Sequence, residues 1–338
     1  MVSRAFIEGM PKVELHVHLE GAIRPETVLK LAKKNSVSLP ADTVEGLREW
    51  YQFRDFPHFV DVYVSVTKTI KTADDVELIA REFLEGQAAQ HVLYTEATYT
   101  AATVQEMVGI PWEDQFRALQ RAREYGAREL GTHAGWVIDI VRGHSPERAL
   151  EVAQWAVRGR EYGVVALGLA GEERRGGAPE YRQAFDHARE HGLPIIPHAG
   201  ETQGPWSIIE SMDVIHPTRL AHGVRAIEDP ALVARLRENG VVLDVCPSSN
   251  VCLNVVPDLP RHMLPQLVDA GLRVTINSDD PPMFDTTLTE EFVRVTEAFG
   301  FTREHLRAFT DTAVEAALVD SDNRDEFAGK VADYFATR

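Results

Sequence analysis

Short apolar or β-branched runs recur along the whole chain and alternate with longer segments of helical periodicity. Such runs, bounded by turn residues, are typical of buried strands. There are eight of them, in chain order Val13–His18, Val92–Tyr99, Ala134–Val141, Val164–Gly171, Leu193–Gly200, Arg219–Val224, Val241–Pro247 and Leu272–Asp280. Helical patterns such as SPERALEVAQWAVRGREYG and EYRQAFDHAREHG lie between most of them and end at glycine, as helices commonly do. Eight strand-then-helix units predict a (β/α)8 TIM barrel, with a doubly wound sheet as the alternative.

The segment between the first two predicted strands is unusually long for a loop, at about 70 residues, and therefore predicts extra helices inserted after strand 1. It contains the aromatic stretch WYQFRDFPHFVDVY (Trp50 to Tyr63). These aromatic residues suit either packing among the inserted helices or a hydrophobic lid over a site. We find no internal repeat, low-complexity segment or obvious linker, so we expect a single domain over residues 1–338.

The charge balance bears on the partners. The chain of 338 residues carries 35 basic and 52 acidic residues, a net charge of −17 spread along its length. Such a surface repels phosphate backbones, which argues against nucleic acid as a partner. No stretch approaches the ~20 apolar residues of a membrane span, and the first residues lack the apolar core of a signal peptide. We therefore expect a cytoplasmic protein with no membrane partner.

The cysteines and most histidines suggest no special chemistry. Cys246 and Cys252 are too few for a disulfide framework, so we expect them to be reduced, with Cys246 in the core. Most of the 13 histidines should be ordinary surface or hydrogen-bonded residues, and we take His262 as a surface example.

The first predicted strand carries His16 and His18 in the stretch KVELHVHLEGA. One intervening residue places both imidazoles on the same side of an extended backbone. Two neutral imidazoles side by side suit a divalent metal. A His-x-His motif alone is weak evidence, however, so its meaning depends on the rest of the chain.

Other predicted strands also end in polar side chains, and in a barrel the chemistry lies at the carboxyl ends of the strands. The fifth ends in His198 with Glu201 just after it, the sixth in His222, and the eighth in Asp279 and Asp280. Each group alone has an ordinary explanation as a turn, a hydrogen-bonded histidine or a helix cap. Together with the first strand, they supply three histidines and a carboxylate, a ligand set suited to zinc with room for a water.

The distribution of lysines indicates how many metal ions to expect. Many barrel hydrolases bridge two metals with a modified lysine, but this sequence has no lysine between Lys71 and Lys330. That span holds strands two to eight. We therefore expect one metal per chain, and a phosphotriesterase-like hydrolase is disfavoured for the same reason.

Five motifs, KVELHVHLEGA, GLAGEE, HAGE, AHGVRAIED and NSDDP, occur in this order between Lys12 and Pro282. As a set they resemble the adenosine deaminase family of the amidohydrolase superfamily. The signature of the tRNA and cytidine deaminases is absent, since CPSSNVC spaces its cysteines too widely. The resemblance implies one zinc ion bound by His16, His18, His198 and Asp279, with Glu201 acting at purine N1, His222 beside the zinc-bound water, Asp280 at N7 and the backbone of Gly171 at N3.

General chemistry supports these implied roles. Attack on C6 of an aminopurine pushes electrons onto N1, which needs a proton donor there. Glu201 follows a predicted ligand by three residues and would have to be protonated in the substrate complex. His222 with Asp279 can take or orient a proton of the attacking water.

The departures from the family pattern concern the substrate. Glu20 replaces the aspartate that adenosine deaminases commonly place near the 5′ side of the ribose, and Ser278 replaces a threonine; both resemble the adenine deaminase branch. GLAGEE instead resembles the nucleoside branch, and Glu20 could suit a nucleoside altered at its 5′ end, as in aminodeoxyfutalosine deaminases. We rank adenosine or a 5′-modified adenosine first and free adenine second.

An alternative of another class is a non-catalytic barrel that binds zinc or a nucleoside. Loss of Glu201 or of a predicted zinc ligand would mark such a protein, and the sequence keeps them all.

Overall fold

The computed structural model describes residues 2–337. Eight strands form one sheet in the order of the sequence, and every neighbouring pair is parallel. The strands are β1 Lys12–His18, β2 Val92–Tyr99, β3 His133–Val141, β4 Val164–Ala170, β5 Ile195–Ala199, β6 Leu220–His222, β7 Val242–Val245 and β8 Arg273–Ile276. The (β/α)8 barrel predicted from the sequence is confirmed.

The ring of strands is joined between its last and first members by residues just beyond β8. Val17 and Asp279 form a parallel bridge. The His18 N–H donates to the Asp279 carbonyl at 2.8 Å, and the Asp279 N–H donates to the His16 carbonyl at 3.2 Å. The chain segments that carry three predicted metal ligands are thus joined by backbone hydrogen bonds.

Helices surround the sheet. The described residues contain sixteen α-helices, which are α1 Arg4–Gly9, α2 Pro25–Lys34, α3 Val44–Trp50, α4 Phe56–Thr67, α5 Ala73–Ala89, α6 Ala101–Val108, α7 Trp112–Tyr125, α8 Pro146–Arg158, α9 Arg182–Glu190, α10 Pro205–Val214, α11 Pro230–Glu238, α12 Pro247–Cys252, α13 Leu264–Asp269, α14 Leu288–Phe299, α15 Arg303–Ala316 and α16 Ser321–Thr337. Four of them, α2 to α5, lie between β1 and β2, so the predicted insertion is confirmed. Within residues 2–337, no helix combines the length and the apolar character needed to cross a membrane.

The inserted helices begin at residues that the sequence marks clearly. The hydroxyl of Thr72 accepts the N–H of Asp75, and the Asp75 carboxylate accepts the N–H of Thr72, which makes a capping box at the start of α5. Asp55 caps α4 by accepting the N–H of His58 at 2.8 Å. These caps satisfy N–H groups that the first turn of a helix leaves free.

The later strands end earlier than the apolar runs suggest. β2 has the predicted bounds, whereas β6 and β8 stop short of the predicted Val224 and Asp280. His222, Gly223 and Asp279 adopt φ angles of 62°, 68° and 63°. Positive φ is incompatible with extended backbone and uncommon for residues other than glycine. β6 therefore ends at His222, whereas β8 ends at Ile276, three residues before Asp279.

Candidate metal centre and active site

The four predicted metal ligands lie together at the carboxyl ends of the strands, and we call His16, His18, His198 and Asp279 the metal cluster. Nε2 of His18 and Nε2 of His198 are 3.2 Å apart. Oδ1 of Asp279 is 3.4 Å from Nε2 of His16 and 3.4 Å from Nε2 of His18. All four side chains are buried. Residues up to 263 positions apart in the sequence thus bring three nitrogens and one oxygen close together in the structure.

The orientation of two histidines fits a metal ion. Nδ1 of His198 lies 2.9 Å from the carbonyl of Leu169 and donates to it, since a carbonyl only accepts. This bond fixes the tautomer in which Nε2 keeps its lone pair. Nε2 of His16 is buried and has no hydrogen-bond partner among residues 2–337. The site therefore offers a buried nitrogen without a partner, two further imidazoles and a carboxylate. Together these groups form the kind of ligand set that zinc prefers.

Burial also favours the protonation states that metal binding requires. It lowers the pKa of His18 to about 4 and the pKa of His198 well below its usual value. Burial opposes ionisation of Asp279, but the neighbouring imidazoles of His16, His222 and His18 together hold the pKa of Asp279 well below its usual range. Neutral imidazoles and an ionised carboxylate are the metal-binding forms.

The two predicted catalytic residues flank the metal cluster. Nε2 of His222 lies 3.8 Å from Oε1 of Glu201 and 3.8 Å from Oδ2 of Asp279. Burial, with the nearby charges of Asp279 and Glu173, raises the pKa of Glu201 well above its usual value. Burial lowers the pKa of His222 to about 3. These shifts favour a protonated carboxyl at Glu201, which could donate, and a neutral imidazole at His222, which could accept.

Asp280 lies beside the turn that follows β1. A Cβ atom added to Gly21 would meet Oδ1 of Asp280 at 1.7 Å, so only glycine fits there. Burial and the charge of Asp279 raise the pKa of Asp280 well above its usual value. Oδ1 of Asp280 has no hydrogen-bond partner within the described residues. Because Asp280 lines the cavity described next, this oxygen can bond to a group that enters it.

A cavity of about 740 Å³, counted out to open solvent, leads from the metal cluster to the surface. Its polar inner end and its largely apolar outer part differ in character. It is lined by His18, Phe56, Phe59, Val60, Tyr63, Val64, Thr100, Thr103, Val141, Ala170, Gly171, His198, Glu201, His222, Leu253, Asp279 and Asp280.

Part of the aromatic stretch packs among the inserted helices, and part of it lines the cavity. Phe56, Phe59 and Tyr63, on α4, line the cavity. The ring of Phe59 also packs against Phe284, with centroids 5.5 Å apart. Helix α4 is therefore both a packed part of the fold and the outer wall of the cavity.

Glu20 lies next to Thr100, which lines the cavity. It is fully buried, and its Oε1 accepts the N–H of Thr100 at 2.9 Å. Its Oε2 has no hydrogen-bond partner in the described part of the chain, and neither does the hydroxyl of Tyr63 or either carboxyl oxygen of Asp139. Burial raises the pKa of Glu20 to about 7. This polar region beside the cavity includes Asp139 and Tyr63, to which the sequence gave no individual role.

Sequence reasoning also missed residues whose side chains hydrogen-bond to the backbone at or next to the predicted metal ligands. Oδ1 of Asn277 accepts the N–H of Leu15 at 2.8 Å and that of His16 at 3.1 Å. Oε1 of Glu14 accepts the N–H of Ser278 at 3.0 Å. An acidic residue within the apolar run VELHVH was the available signal for Glu14.

The expectations for the cysteines and for His262 have different outcomes. Cys246 is fully buried, as expected, and both cysteines are free. Its sulfur also lies within 4.8 Å of ligand atoms of His16 and Asp279. The interpretation of His262 as a surface residue is wrong, since it is buried and its Nε2 lies 3.0 Å from Oδ1 of Asn250.

The barrel, with histidines and a carboxylate converging at the carboxyl ends of its strands, defines the class of metal-dependent barrel hydrolases. The family model described as "Adenosine deaminase" matches residues 11–334. The chain therefore belongs to the adenosine deaminase family. It is a hydrolase that acts on C–N bonds of cyclic amidines.

Three relatives illustrate the similarity. An adenine deaminase from Rhizobium rhizogenes is 39% identical over 315 residues, which cover 93% of this chain and 97% of that protein. An aminodeoxyfutalosine deaminase from Streptomyces coelicolor is 37% identical over 334 residues, covering 98% of this chain and 86% of that protein. The crystal structure of an amidohydrolase from Burkholderia ambifaria with bound zinc has a TM-score of 0.91 at 27% identity, covering 99% of this chain and 94% of that one.

Proposed function

We propose that this protein catalyses the zinc-dependent hydrolytic deamination of a 6-aminopurine nucleoside, either adenosine or an adenosine altered at its 5′ end. The products are the 6-oxopurine nucleoside and ammonia. The observation that carries the proposal is the convergence of the metal cluster with Glu201, His222 and Asp280 at the inner end of one cavity.

The metal cluster would hold one zinc ion through the three imidazoles and the carboxylate of Asp279. When bound, zinc would act as a Lewis acid that makes hydroxide available at neutral pH. The amidohydrolase from Burkholderia ambifaria with bound zinc supports this choice of metal. The span from Lys71 to Lys330 without a lysine supports a single ion.

Glu201 and His222 would move the protons of the reaction. Attack of water on C6 places electron density on N1, and the protonated Glu201 carboxyl would donate a proton there. His222 would take up a proton from the attacking water, because its buried imidazole is neutral and lies between Glu201 and Asp279. His222 would return its proton to the amino group at C6, which would leave as ammonia, and the C6 hydroxyl would lose its proton to Glu201 as the 6-oxo group forms.

The ring of the substrate would be held by groups on either side of the metal cluster. The Asp280 carboxyl, with its partnerless Oδ1 and raised pKa, would interact with N7. The backbone N–H of Gly171 would donate to N3. Gly171 has a φ of 90°, a conformation that glycine adopts without strain.

The outer cavity would hold the sugar. Its wall continues past the purine site to Thr100, Thr103 and helix α4. A nucleoside occupies more of this space than a free base does. Glu20 would accept a hydrogen bond from the sugar or its 5′ substituent through Oε2, which lacks a partner among the described residues.

Free adenine is the second candidate substrate. It is favoured by the similarity to the adenine deaminase from Rhizobium rhizogenes. A free base would leave Oε2 of Glu20 with water in place of a sugar group.

A deamination screen tests the proposal. Ammonia release would be measured for adenine, adenosine, 2′-deoxyadenosine, N6-methyl-AMP and aminodeoxyfutalosine with the zinc-loaded protein. We expect the highest kcat/KM for adenosine or aminodeoxyfutalosine. A preference for free adenine of about tenfold or more, roughly 1.4 kcal/mol, would replace the nucleoside assignment with the second candidate. No turnover of any of these compounds would support the non-catalytic alternative.

A further inference from the structure

The loop after β4 contains a buried carboxylate that the proposed reaction does not use. Glu173, in a short 3₁₀ helix over Glu173–Arg175, is buried, with 3% of its surface exposed. It does not line the cavity, although Gly171, two residues earlier, and Glu201 both do. The side chain must therefore act on something other than the substrate.

Glu173 binds the backbone of the turn that carries Glu201. Its Oε1 accepts the N–H of Glu201 at 2.9 Å and that of Thr202 at 2.9 Å. Its Oε2 accepts the N–H of Gly200 at 3.1 Å and the hydroxyl of Ser207 at 2.6 Å. One carboxylate from the β4 loop thus accepts from four consecutive N–H groups of the β5 loop, of which that of Gln203 is the longest at 3.4 Å, and from a hydroxyl in the first turn of α10.

The turn itself depends on this carboxylate. Gly200 has a φ of 68°, so the chain turns sharply between His198 and Glu201. The turn points its N–H groups toward one point, and buried N–H groups without a partner are costly. Because bonds to a charged acceptor are stronger than those between neutral groups, the Glu173 carboxylate fixes the backbone at Glu201.

Arg142 strengthens the same connection from β3. Its guanidinium donates to the carbonyl of His198 at 2.7 Å and also to the carbonyl of Gly176. The β4 loop is therefore bonded to the β5 loop on both sides of Gly200. Movement of either loop relative to the other would break several bonds at once.

From this arrangement we infer that Glu173 is a positioning residue that holds Glu201 at a fixed place relative to the base-contacting backbone of Gly171. The inference rests on the proposed role of Glu201 in the reaction. Glu173 would not contact the substrate. Its loss would let the Glu201 carboxyl move away from N1 while leaving the metal cluster intact.

A double-mutant cycle tests the inference. The variants are Glu173→Gln, Glu201→Gln and the double variant, each assayed for kcat, KM, zinc content and thermal stability with the best substrate of the screen. Glutamine at position 173 keeps the size of the side chain but turns one acceptor into a donor that faces other donors. We expect kcat to fall about 10- to 100-fold and KM to change less than about threefold, because positioning acts on the chemical step.

The double variant gives the decisive comparison. If Glu173 acts through Glu201, the double variant should be within about threefold of Glu201→Gln alone, because the two losses are not independent. Losses that multiply, or a Glu173→Gln enzyme with the parent kcat, would overturn the inference. A Glu201→Gln enzyme with full activity would instead refute the proposed role of Glu201, so the two failures are distinguishable.

Two further variants guard against a simple folding defect. Glu172→Gln makes the same change one residue earlier, at an acid that pairs with Arg175 at the surface, and should keep kcat within about twofold. Ser207→Ala removes a single donor to Glu173 and should lower kcat by a smaller factor than Glu173→Gln. If Glu173→Gln does not fold, a Ser207→Ala enzyme whose kcat equals that of the parent would overturn the inference, and a reduced kcat with full zinc content would support it.

Discussion

Two buried polar clusters lie within the same barrel, and they differ in how completely their polar atoms are paired. In the first, which we call the arginine network, Arg219 pairs with Asp244 at 3.0 Å and with Glu96 at 2.5 Å. The remaining oxygens of the two acids accept from Thr275 at 2.8 Å and from the N–H of Leu318 at 2.6 Å. Every carboxylate oxygen of this network therefore has a donor.

The second is the active site around the metal cluster, where pairing is incomplete. Nε2 of His16, Nδ1 of His222 and Oδ1 of Asp280 are buried without hydrogen-bond partners in residues 2–337. Leaving a buried polar group unpaired costs about 1–3 kcal/mol. The difference indicates that the paired network serves the fold, whereas Nε2 of His16 and Oδ1 of Asp280 are available to the metal ion and the substrate proposed above.

The largest effect is expected from a change within the metal cluster. His198→Ala should lose both zinc and detectable turnover, because it removes one of three nitrogen ligands. Zinc content by elemental analysis and ammonia release would be measured together. His191→Ala, at an exposed histidine, is the control and should keep both. A His198→Ala enzyme with parental zinc content and activity would remove the distinction between the two clusters.

The arginine network should respond through stability rather than chemistry. Burial alone would lower the pKa of Arg219, but Asp244 and Glu96 outweigh it and raise this pKa. Arg219→Met would leave two carboxylates buried without their cation, at a cost of about 3–5 kcal/mol in the free energy of unfolding. Denaturant unfolding of the zinc-free protein would measure this cost.

A surface pair provides the matched control. Arg117 and Asp114 are half exposed and 2.8 Å apart on α7. Arg117→Met should cost less than about 1 kcal/mol. Equal costs at Arg219 and Arg117 would show that pairing in the barrel interior does not stabilise the fold as described.

A smaller effect is expected at Glu20, at the edge of the active site. Glu20→Gln can keep the bond from the N–H of Thr100 while replacing the unpaired acceptor by a donor. If the substrate is a nucleoside, the enzyme should lose about 1–3 kcal/mol of transition-state binding free energy, which would be measured as a lower kcat/KM. Activity on adenine should change much less. An equal loss on adenine and adenosine would contradict the assignment of Glu20 to the sugar side.

Mild acid is expected to have the smallest effect, on the zinc content of the protein. The neutral imidazole binds metal, and this form of His18 persists down to its pKa of about 4, below the ordinary histidine value of about 6.5. Zinc content after gel filtration should therefore stay constant between pH 8 and about 5. Loss of zinc near pH 6.5 would contradict the effect of burial.

The same shift affects the stability of the zinc-free protein. Between about pH 6.5 and 4 the unfolded chain binds protons at His18 that the folded chain does not bind. The free energy of unfolding should therefore fall as the pH drops through this range. Circular dichroism at each pH would show that the protein stays folded during the zinc measurement.

The sequence predicted the architecture because the strand and helix periods are local. β1 and β2 end at their predicted residues because their backbone stays extended to the end of the apolar run. β6 is only three residues long, since His222 leaves the extended conformation at a positive φ. Such turns at functional residues run against local preference, so a periodicity argument places the strand but not its end.

Contacts between distant segments of the chain could not be predicted from the sequence. Arg219 and Glu96 are 123 positions apart, and nothing in the run RLAHGV indicates that its arginine points at a buried acid. Glu173 could be noticed only as the second acid of GLAGEE, because its partners are backbone N–H groups of another loop. The metal cluster was predictable because four side chains of ligand type stand at the ends of apolar runs.

The measurement that tests the central claim most directly is the zinc stoichiometry of the metal cluster. Protein stripped with a chelator would be titrated with zinc, and metal content and ammonia release would be followed at each point. We predict that activity rises in proportion to bound zinc and reaches its maximum at one ion per chain. Full activity in the metal-free protein, or a maximum reached only at two ions per chain, would contradict the account.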